Sequence, residues 1–254
     1  MFMNSSPDNA AILRASGLTK FFDGFCAVDH IHFAMPQGIC FGFLGPNGAG
    51  KTTTLKMIYG ALIPTEGDIQ AFGRDIRLHR KAVKRRLGVV QQKDILELSL
   101  SAWDNLDIHG RHFGMGKKEI CAEGEHLLTL MELSDRALEP VFHFSGGMKR
   151  RLSIVKALLN KPDLLLLDEP TTGLDPQSRH KMWDFIGDLK KQGVTIFLTT
   201  HYMEEAQMLC EDLVILDRGR IIEKGSPGAL IQKHQSKNLE EVFLHLTGRE
   251  LRDE

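Results

Sequence analysis

The segment Gly45-Pro46-Asn47-Gly48-Ala49-Gly50-Lys51-Thr52 constrains the fold of this 254-residue chain more than any other feature. It fits the pattern GxxxxGK[ST], whose glycines allow a tight loop with backbone N–H groups pointing inward at phosphates. Lys51 would neutralise the outer phosphates, and the Thr52 hydroxyl would bind Mg²⁺. An apolar run precedes the loop and a helical pattern follows it, as this mechanism requires. The sequence therefore predicts a nucleoside triphosphate site.

Short apolar runs alternate with helical patterns along most of the chain. The apolar runs, which favour buried parallel strands, cover residues 39–44, 87–90, 164–167, 194–198 and 213–216. The helical patterns cover residues 52–61, 148–160 and 177–192. This alternation predicts an α/β fold with a mostly parallel sheet. Two regions depart from it: residues 213–224 favour a hairpin, and the stretch from about 93 to 162 favours a helical insertion.

The apolar run 164–167 ends in two adjacent carboxylates, Asp168 and Glu169. One interpretation is an ordinary strand end that carries two acids. The other gives Asp168 a water-mediated contact to Mg²⁺ and makes Glu169 the general base for an attacking water. The presence of a phosphate-binding loop in the same chain favours the second interpretation.

Polar side chains follow two further predicted strands. Gln92 comes after the run 87–90, and His201 comes after the run 194–198. Each residue alone is more typical of a satisfied surface group than of a functional one. In a parallel sheet, however, the carboxyl ends of the strands face one crevice, where ligands bind. The sequence therefore predicts that Gln92 and His201 belong to the nucleotide site.

The turn Ser145-Gly146-Gly147 opens the helical pattern at 148–160. Such a turn at a helix N-terminus offers N–H groups, a hydroxyl and the positive end of the helix dipole, which together suit an anion. Simple N-capping by Ser145 is the alternative. On the anion interpretation, one chain has two phosphate-binding loops. The cations Lys149, Arg150 and Arg151, which follow the turn, fit the outer face of the same helix.

These motifs, in this order, resemble the ATP-binding subunits of ABC transporters over nearly the whole chain. The resemblance implies a P-loop NTPase (RecA-like) core with a mostly parallel sheet, an antiparallel β portion and a helical insertion subdomain. We expect residues 1–11 to form a flexible N-terminus, and residues 12–92 together with 163–234 to form the ATP-binding core. Residues 93–162 would form the helical signature subdomain, and residues 235–254 a helical tail. The segments 145–152 and 239–248 are similar to a subfamily that exports drugs, lipids and polysaccharides.

The resemblance also assigns roles and partners. Two subunits pack head-to-tail around two MgATP, so that the turn Ser145–Gly147 of one contacts the nucleotide on the other. Thr53 joins the phosphate-binding residues, Gln92 joins the magnesium ligands, and His201 and Gln92 orient water and sense the γ-phosphate. Phe22 stacks on adenine, although Phe21 is adjacent and Phe22 could equally be a core residue. The implied partners are a membrane-spanning permease and a second copy, or a related ATPase subunit.

Composition limits the alternatives. The net charge of −1 gives no general reason to bind nucleic acid, and the basic run 79–86 resembles one solvated helix face. No stretch approaches the roughly 18 apolar residues of a membrane-spanning helix. The resemblance implies a cytoplasmic protein that is peripheral at the inner face of the cell membrane. The alternative function is a soluble ABC ATPase that acts on nucleic acid or ribosomes. Such proteins tend to have long coiled-coil insertions or two ATPase halves, and this sequence shows neither.

Overall fold

The computed structural model describes residues 11–248. The strands of this part of the chain are β1 Ala11–Phe22, β2 Phe25–Pro36, β3 Cys40–Leu44, β4 Glu66–Ala71, β5 Arg74–Asp75, β6 Leu87–Val90, β7 Leu164–Asp168, β8 Thr195–Thr200, β9 Asp212–Asp217 and β10 Arg220–Gly225. The helices are α1 Lys51–Ile58, α2 Arg80–Lys84, α3 Ala102–His112, α4 Lys117–Leu130, α5 Gly146–Leu158, α6 Pro176–Lys191, α7 Met203–Leu209, α8 Pro227–Lys233 and α9 Leu239–Thr247.

The described chain divides into two compact units. The first unit contains residues 11–83 and 197–248, and the second unit contains residues 84–196. Each unit has its own group of paired strands. Every predicted strand and helix is present, with ends that differ from the prediction by a few residues.

In the first unit, β1 pairs antiparallel with β2 on one side and with β4 on the other. The sequence predicted an antiparallel portion without assigning β1 and β2. The buried positions of β1 do not alternate regularly, because its register with β2 shifts between Ala15 and Leu18. Gly17 lies within this shift and has φ +58°, a conformation that suits glycine. The bulge therefore disrupts the period-two pattern on which strand prediction depends.

The first unit also contains parallel strands around a buried aromatic cluster. β3 is buried at every position and pairs parallel with β9, which forms a hairpin with β10. The N–H of Gly45, directly after β3, donates to the carbonyl of Thr200 at the end of β8 at 3.3 Å. The rings of Phe33, Phe41, Phe43 and Phe197 pack with centroids 4.7 to 6.3 Å apart. This core anchors the two strands that end at the phosphate-binding loop and at His201.

In the second unit, β6 pairs parallel with β7 and α5 packs against β6. The close packing requires Gly88, because a Cβ there would lie 2.4 Å from the carbonyl oxygen of Ala157 on α5. Helices α3, α4 and α5 occupy the segment that the sequence predicts to be a helical insertion. Together, the parallel pairs, the antiparallel sheet and these helices confirm the predicted α/β fold class.

The predicted subdomain boundaries stay a prediction. The predicted flexible N-terminus falls almost wholly on residues 1–10, outside the described residues, and Ala11 already begins β1. Of the predicted tail, the described part includes α9, whose N-cap Asn238 accepts a hydrogen bond from the N–H of Glu241 at 2.9 Å. Within residues 11–248, every helix is too short or too polar to span a bilayer.

Candidate functional site

The phosphate loop, residues 45–52, joins β3 to α1 and needs glycine at two positions. A Cβ on Gly45 would lie 2.3 Å from the carbonyl oxygen of Leu216. Gly50 has φ +103°, and a Cβ there would lie 2.6 Å from the carbonyl oxygen of Ala27. Asn47 and Gly48 are exposed at the tip of the loop. The surrounding backbone therefore fixes both ends of the loop and leaves its tip open to a ligand.

Lys51 is the first residue of α1, and its side chain is buried in the loop. Its Nζ donates to the carbonyl oxygens of Gly45 at 2.7 Å and Pro46 at 3.0 Å. Thr52 and Thr53 are half-buried in the same first turn. The first turn of α1 has no acidic residue that would oppose an anion. A buried ammonium, a helix N-terminus and a glycine loop together form a site for phosphates.

His201 lies beside the phosphate loop. It directly follows Thr200, whose carbonyl accepts the hydrogen bond from Gly45, and its ring lies 4.1 Å from the ring of Tyr202. The structure thus places His201 and the loop at the carboxyl ends of neighbouring strands in the first unit, as the sequence predicts.

Phe22 lies on the surface at the turn between β1 and β2. Its side chain is 43% exposed, which excludes the interpretation of Phe22 as a core residue. The ammonium of Lys20 lies 5.2 Å from the centroid of the ring. Phe21 is equally exposed, at 42%. An exposed ring at this turn is available for stacking, although exposure alone does not distinguish Phe22 from Phe21.

In the second unit, Asp168 and Glu169 are buried at the end of β7. The carboxylate of Glu169 accepts hydrogen bonds on Oε2 from Nε2 of Gln92 and from Oγ1 of Thr172, each at 3.2 Å. Gln92 and Glu169 are 77 positions apart in the chain, so the fold brings the two predicted residues together. Thr172 was missed by the sequence analysis. The one sequence signal for Thr172 is that its hydroxyl comes three residues after Glu169. In the structure these residues form a turn, in which the N–H of Thr172 donates to the carbonyl of Glu169.

The serine turn, residues 145–147, begins α5 in the second unit. Ser145 is the N-cap, because its Oγ accepts a hydrogen bond from the N–H of Met148 at 3.2 Å. A cavity of about 160 Å³ lies beside the turn and is lined in part by Ser145, Gly147 and Lys181. Ser145 and Gly146 are exposed. The capping interpretation is therefore correct, and the exposed turn, with a lysine lining the adjacent cavity, also has the chemistry of an anion site.

A test of the phosphate loop compares Gly50→Ala with Gly38→Ala. Both glycines have positive φ, but only the Cβ at position 50 would collide with backbone, since position 38 has open space. We expect Gly50→Ala to weaken binding of a fluorescent ATP analogue at least about tenfold, because the strained loop must shift. Gly38→Ala should keep the affinity of the unmodified chain. Equal affinities for the two variants would contradict the role of Gly50.

Comparison with known proteins gives a consistent result. A model of the ABC transporter family matches residues 28–172. Nod factor export ATP-binding protein I of Ralstonia nicotianae is 44% identical over 91% of this chain and 72% of that protein. The protein of the same name from Paraburkholderia xenovorans is 45% identical over 92% of this chain and 77% of that protein.

Solved structures agree with these relatives. A structure described as the ATP binding subunit of an ABC transporter matches with a TM-score of 0.84 and 28% identity, over 93% of this chain and 99% of that chain. CbiO1 from Clostridium perfringens, described as part of the ABC transporter complex cbiONQ, matches with a TM-score of 0.81 and 26% identity, over 94% and 97%. The chain therefore belongs to the ABC transporter family, as one of its ATP-binding subunits, and these are ATPases.

Proposed function

We propose that this chain hydrolyses ATP to drive export through a separate membrane subunit, with Glu169 as the catalytic base. The observation that carries the proposal is the buried carboxylate of Glu169, held by Gln92 and Thr172 at the end of β7. A binding module without catalysis would have no need to bury and orient a carboxylate in this way, since desolvating it is costly. The family, whose ATP-binding proteins are ATPases, supports the same conclusion.

The first unit supplies the groups that bind the nucleotide. The phosphate loop contacts the phosphates through the backbone N–H groups of Gly45, Asn47, Gly48, Ala49, Gly50 and Thr53. Pro46, which has no N–H, lines the same loop. Lys51 neutralises their charge, since its ammonium is already held within the loop. The adenine stacks on Phe22, whose exposed ring is accessible. We assign the adenine contact to Phe22 rather than to Phe21 from the family resemblance.

The family resemblance assigns three side chains to Mg²⁺: the hydroxyl of Thr52 in the first unit, and the amide of Gln92 and the carboxylate of Asp168 in the second unit. These are hard oxygen donors, which Mg²⁺ prefers, and Mg²⁺ usually takes few protein ligands because it retains water and binds substrate phosphates. Within residues 11–248, the structure shows no group of three or more His, Cys, Asp or Glu side chains that could hold a metal. Mg²⁺ bound with the nucleotide would neutralise charge on the phosphates.

In the reaction, Glu169 accepts a proton from water as the water oxygen attacks the γ-phosphorus. The bond between that phosphorus and the bridging oxygen breaks, giving ADP and inorganic phosphate. Gln92, which donates to the carboxylate of Glu169, and His201, which lies beside the phosphate loop, position the water and sense the γ-phosphate. Catalysis of this kind depends mainly on positioning and charge stabilisation.

The serine turn acts on a second copy of the subunit. Ser145, Gly146 and Gly147 of one copy would contact the nucleotide held by the phosphate loop of the other, so that two copies enclose two MgATP. The exposed turn and the cavity beside it support this role. We favour a homodimer because one chain has both loops, and a dimer with a related ATPase subunit uses the same surfaces.

The relatives support the proposed partner and the proposed direction of transport. The relatives named for Nod factor export support export, and cbiO1, which belongs to a transporter complex, supports a separate membrane permease. We propose that the helical subdomain, residues 93–162, contacts this permease at the inner face of the membrane, while residues 12–92 and 163–234 form the ATP-binding core. A role on nucleic acid is not favoured, given the net charge of −1.

The role of Glu169 is tested by Glu169→Gln. This variant keeps the shape of the side chain and should bind ATP with unchanged affinity, because the phosphate loop is intact. Its turnover number should fall at least about 100-fold, since general base catalysis typically contributes that much. Glu139→Gln is the matched control, because Glu139 is a partly exposed residue that pairs with Arg136 in the same unit. Turnover in Glu169→Gln equal to that of the control would remove the general-base assignment.

The transport function is tested by purifying the tagged chain from detergent-solubilised membranes and identifying its partners by mass spectrometry. We expect a protein with several membrane-spanning helices and no ATPase motifs. A second capture with Lys51→Met, which removes the ammonium that the phosphate loop holds, should recover the same protein if the permease contact lies outside the nucleotide site. Recovery of only ribosomal or DNA-bound proteins would leave the ATPase intact and contradict the transport function.

A further inference from the structure

Arg150 on α5 is buried, in contrast to the sequence expectation that it lies on the outer face of this helix with Lys149 and Arg151. Its side chain is 6% exposed, whereas that of Arg151 is 25% exposed. Burying a guanidinium is costly unless hydrogen-bond acceptors surround it. The groups that accept hydrogen bonds from Arg150 therefore indicate the role of this buried side chain.

The guanidinium of Arg150 donates to three consecutive backbone carbonyls at the end of β7. Nη2 donates to the carbonyl oxygens of Asp168 at 2.8 Å and Glu169 at 3.1 Å. Nε donates to the carbonyl oxygen of Pro170 at 2.9 Å. A single planar side chain thus contacts the whole backbone segment on which the proposed base lies. Lysine could not reproduce this arrangement, because its donors radiate from one atom.

The remaining donor, Nη1, contacts the segment around Gln92. It donates to the carbonyl oxygen of Gln91 and to Oδ1 of Asp94, the latter at 3.2 Å. Gln91 and Asp94 lie on either side of Gln92, whose amide donates to the carboxylate of Glu169. Arg150 is therefore bonded to the backbone on both sides of this hydrogen-bonded pair, and all of these residues belong to the second unit.

The backbone that Arg150 contacts is strained at the proposed base. Glu169 has φ +47°, in the left-handed region that glutamate rarely adopts. A residue in this region is strained and persists only where surrounding interactions hold it. The carbonyl of Glu169 itself, together with those of its two neighbours, accepts from Arg150. These hydrogen bonds provide the interactions that the conformation requires.

We propose that Arg150 is a positioning residue for hydrolysis, which holds Glu169 and Gln92 in the geometry that activates water. The proposal rests on the proposed function of Glu169 as general base. Arg150 does not touch the nucleotide in this account, and it acts through the backbone of the two residues that orient the water. Its loss should therefore lower the turnover number while leaving the affinity for ATP unchanged.

The test uses Arg150→Lys and Arg150→Gln, with Arg86→Lys and Arg86→Gln as matched controls. Arg86 and Asp163, which precede β6 and β7 respectively, pair with each other at 2.7 Å. The controls therefore change an arginine at the amino ends of β6 and β7, whereas Arg150 contacts the residues at their carboxyl ends. We expect both Arg150 variants to bind a fluorescent ATP analogue normally and to lose at least about tenfold in turnover number, because small displacements of catalytic groups are costly. The Arg86 variants should keep normal turnover.

A double variant shows whether Arg150 acts through Glu169. In a chain that already has Glu169→Gln, adding Arg150→Lys should reduce the residual turnover less than twofold, because the base is already absent. An equal loss in both backgrounds would show that Arg150 acts independently of Glu169, and normal turnover of Arg150→Lys would show that the positioning is unnecessary. Either result overturns the proposal.

Two further outcomes are distinguishable. If both Arg150 variants unfold under conditions in which the Arg86 variants stay folded, as measured by circular dichroism, Arg150 is needed for stability alone and the proposal is wrong. If Glu169→Gln itself hydrolyses ATP normally, the proposed function of Glu169 fails first, whatever the Arg150 variants do.

Discussion

Burial of charged side chains at the ends of parallel strands is the constraint on which the rest of the structure depends. In the first unit, the ammonium of Lys51 is buried in a loop whose own carbonyls accept its hydrogen bonds. In the second unit, Asp168 and Glu169 are buried, and their backbone carbonyls accept hydrogen bonds from the buried guanidinium of Arg150. Each of these charges is costly to desolvate and is retained only with hydrogen-bond partners. The glycines of the phosphate loop and the strained backbone at Glu169 are consequences of bringing hydrogen-bond partners close enough to these buried charges.

Helix α5 connects two functional features of the second unit. Its N-cap, Ser145, begins the turn that we propose contacts the nucleotide of a second copy. Arg150 lies five residues later, about 7.5 Å along the helix axis, and bonds to the backbone at Glu169. A short helix is stiff over this distance, so the turn that we propose meets the second copy and the arginine that bonds to the backbone of the proposed base lie on one rigid element. This arrangement accounts for a basic residue inside a helix whose other cations are less buried.

The sequence was sufficient for the features that depend on local pattern, and the structure was needed for those that depend on contacts across the chain. The loop at residues 45–52 and the buried run before Asp168 are local, so their positions were predicted. Strand β1 was not assigned, because the bulge at Gly17 interrupts its alternation. Arg150 was placed on the wrong face, because charge normally indicates a solvated surface and its acceptors lie as far as 59 positions away. Thr172 was missed because a hydroxyl in a turn is common.

The central claim is that the nucleotide site is completed by a second copy of the chain. The most direct test measures the molar mass of Glu169→Gln by light scattering during gel filtration, with and without MgATP. The account predicts about twice the 28.5 kDa of the single chain when MgATP is present, with two nucleotides bound for each pair, and the single-chain mass when it is absent. A Glu169→Gln chain that binds MgATP fully and still elutes with the single-chain mass would contradict the account.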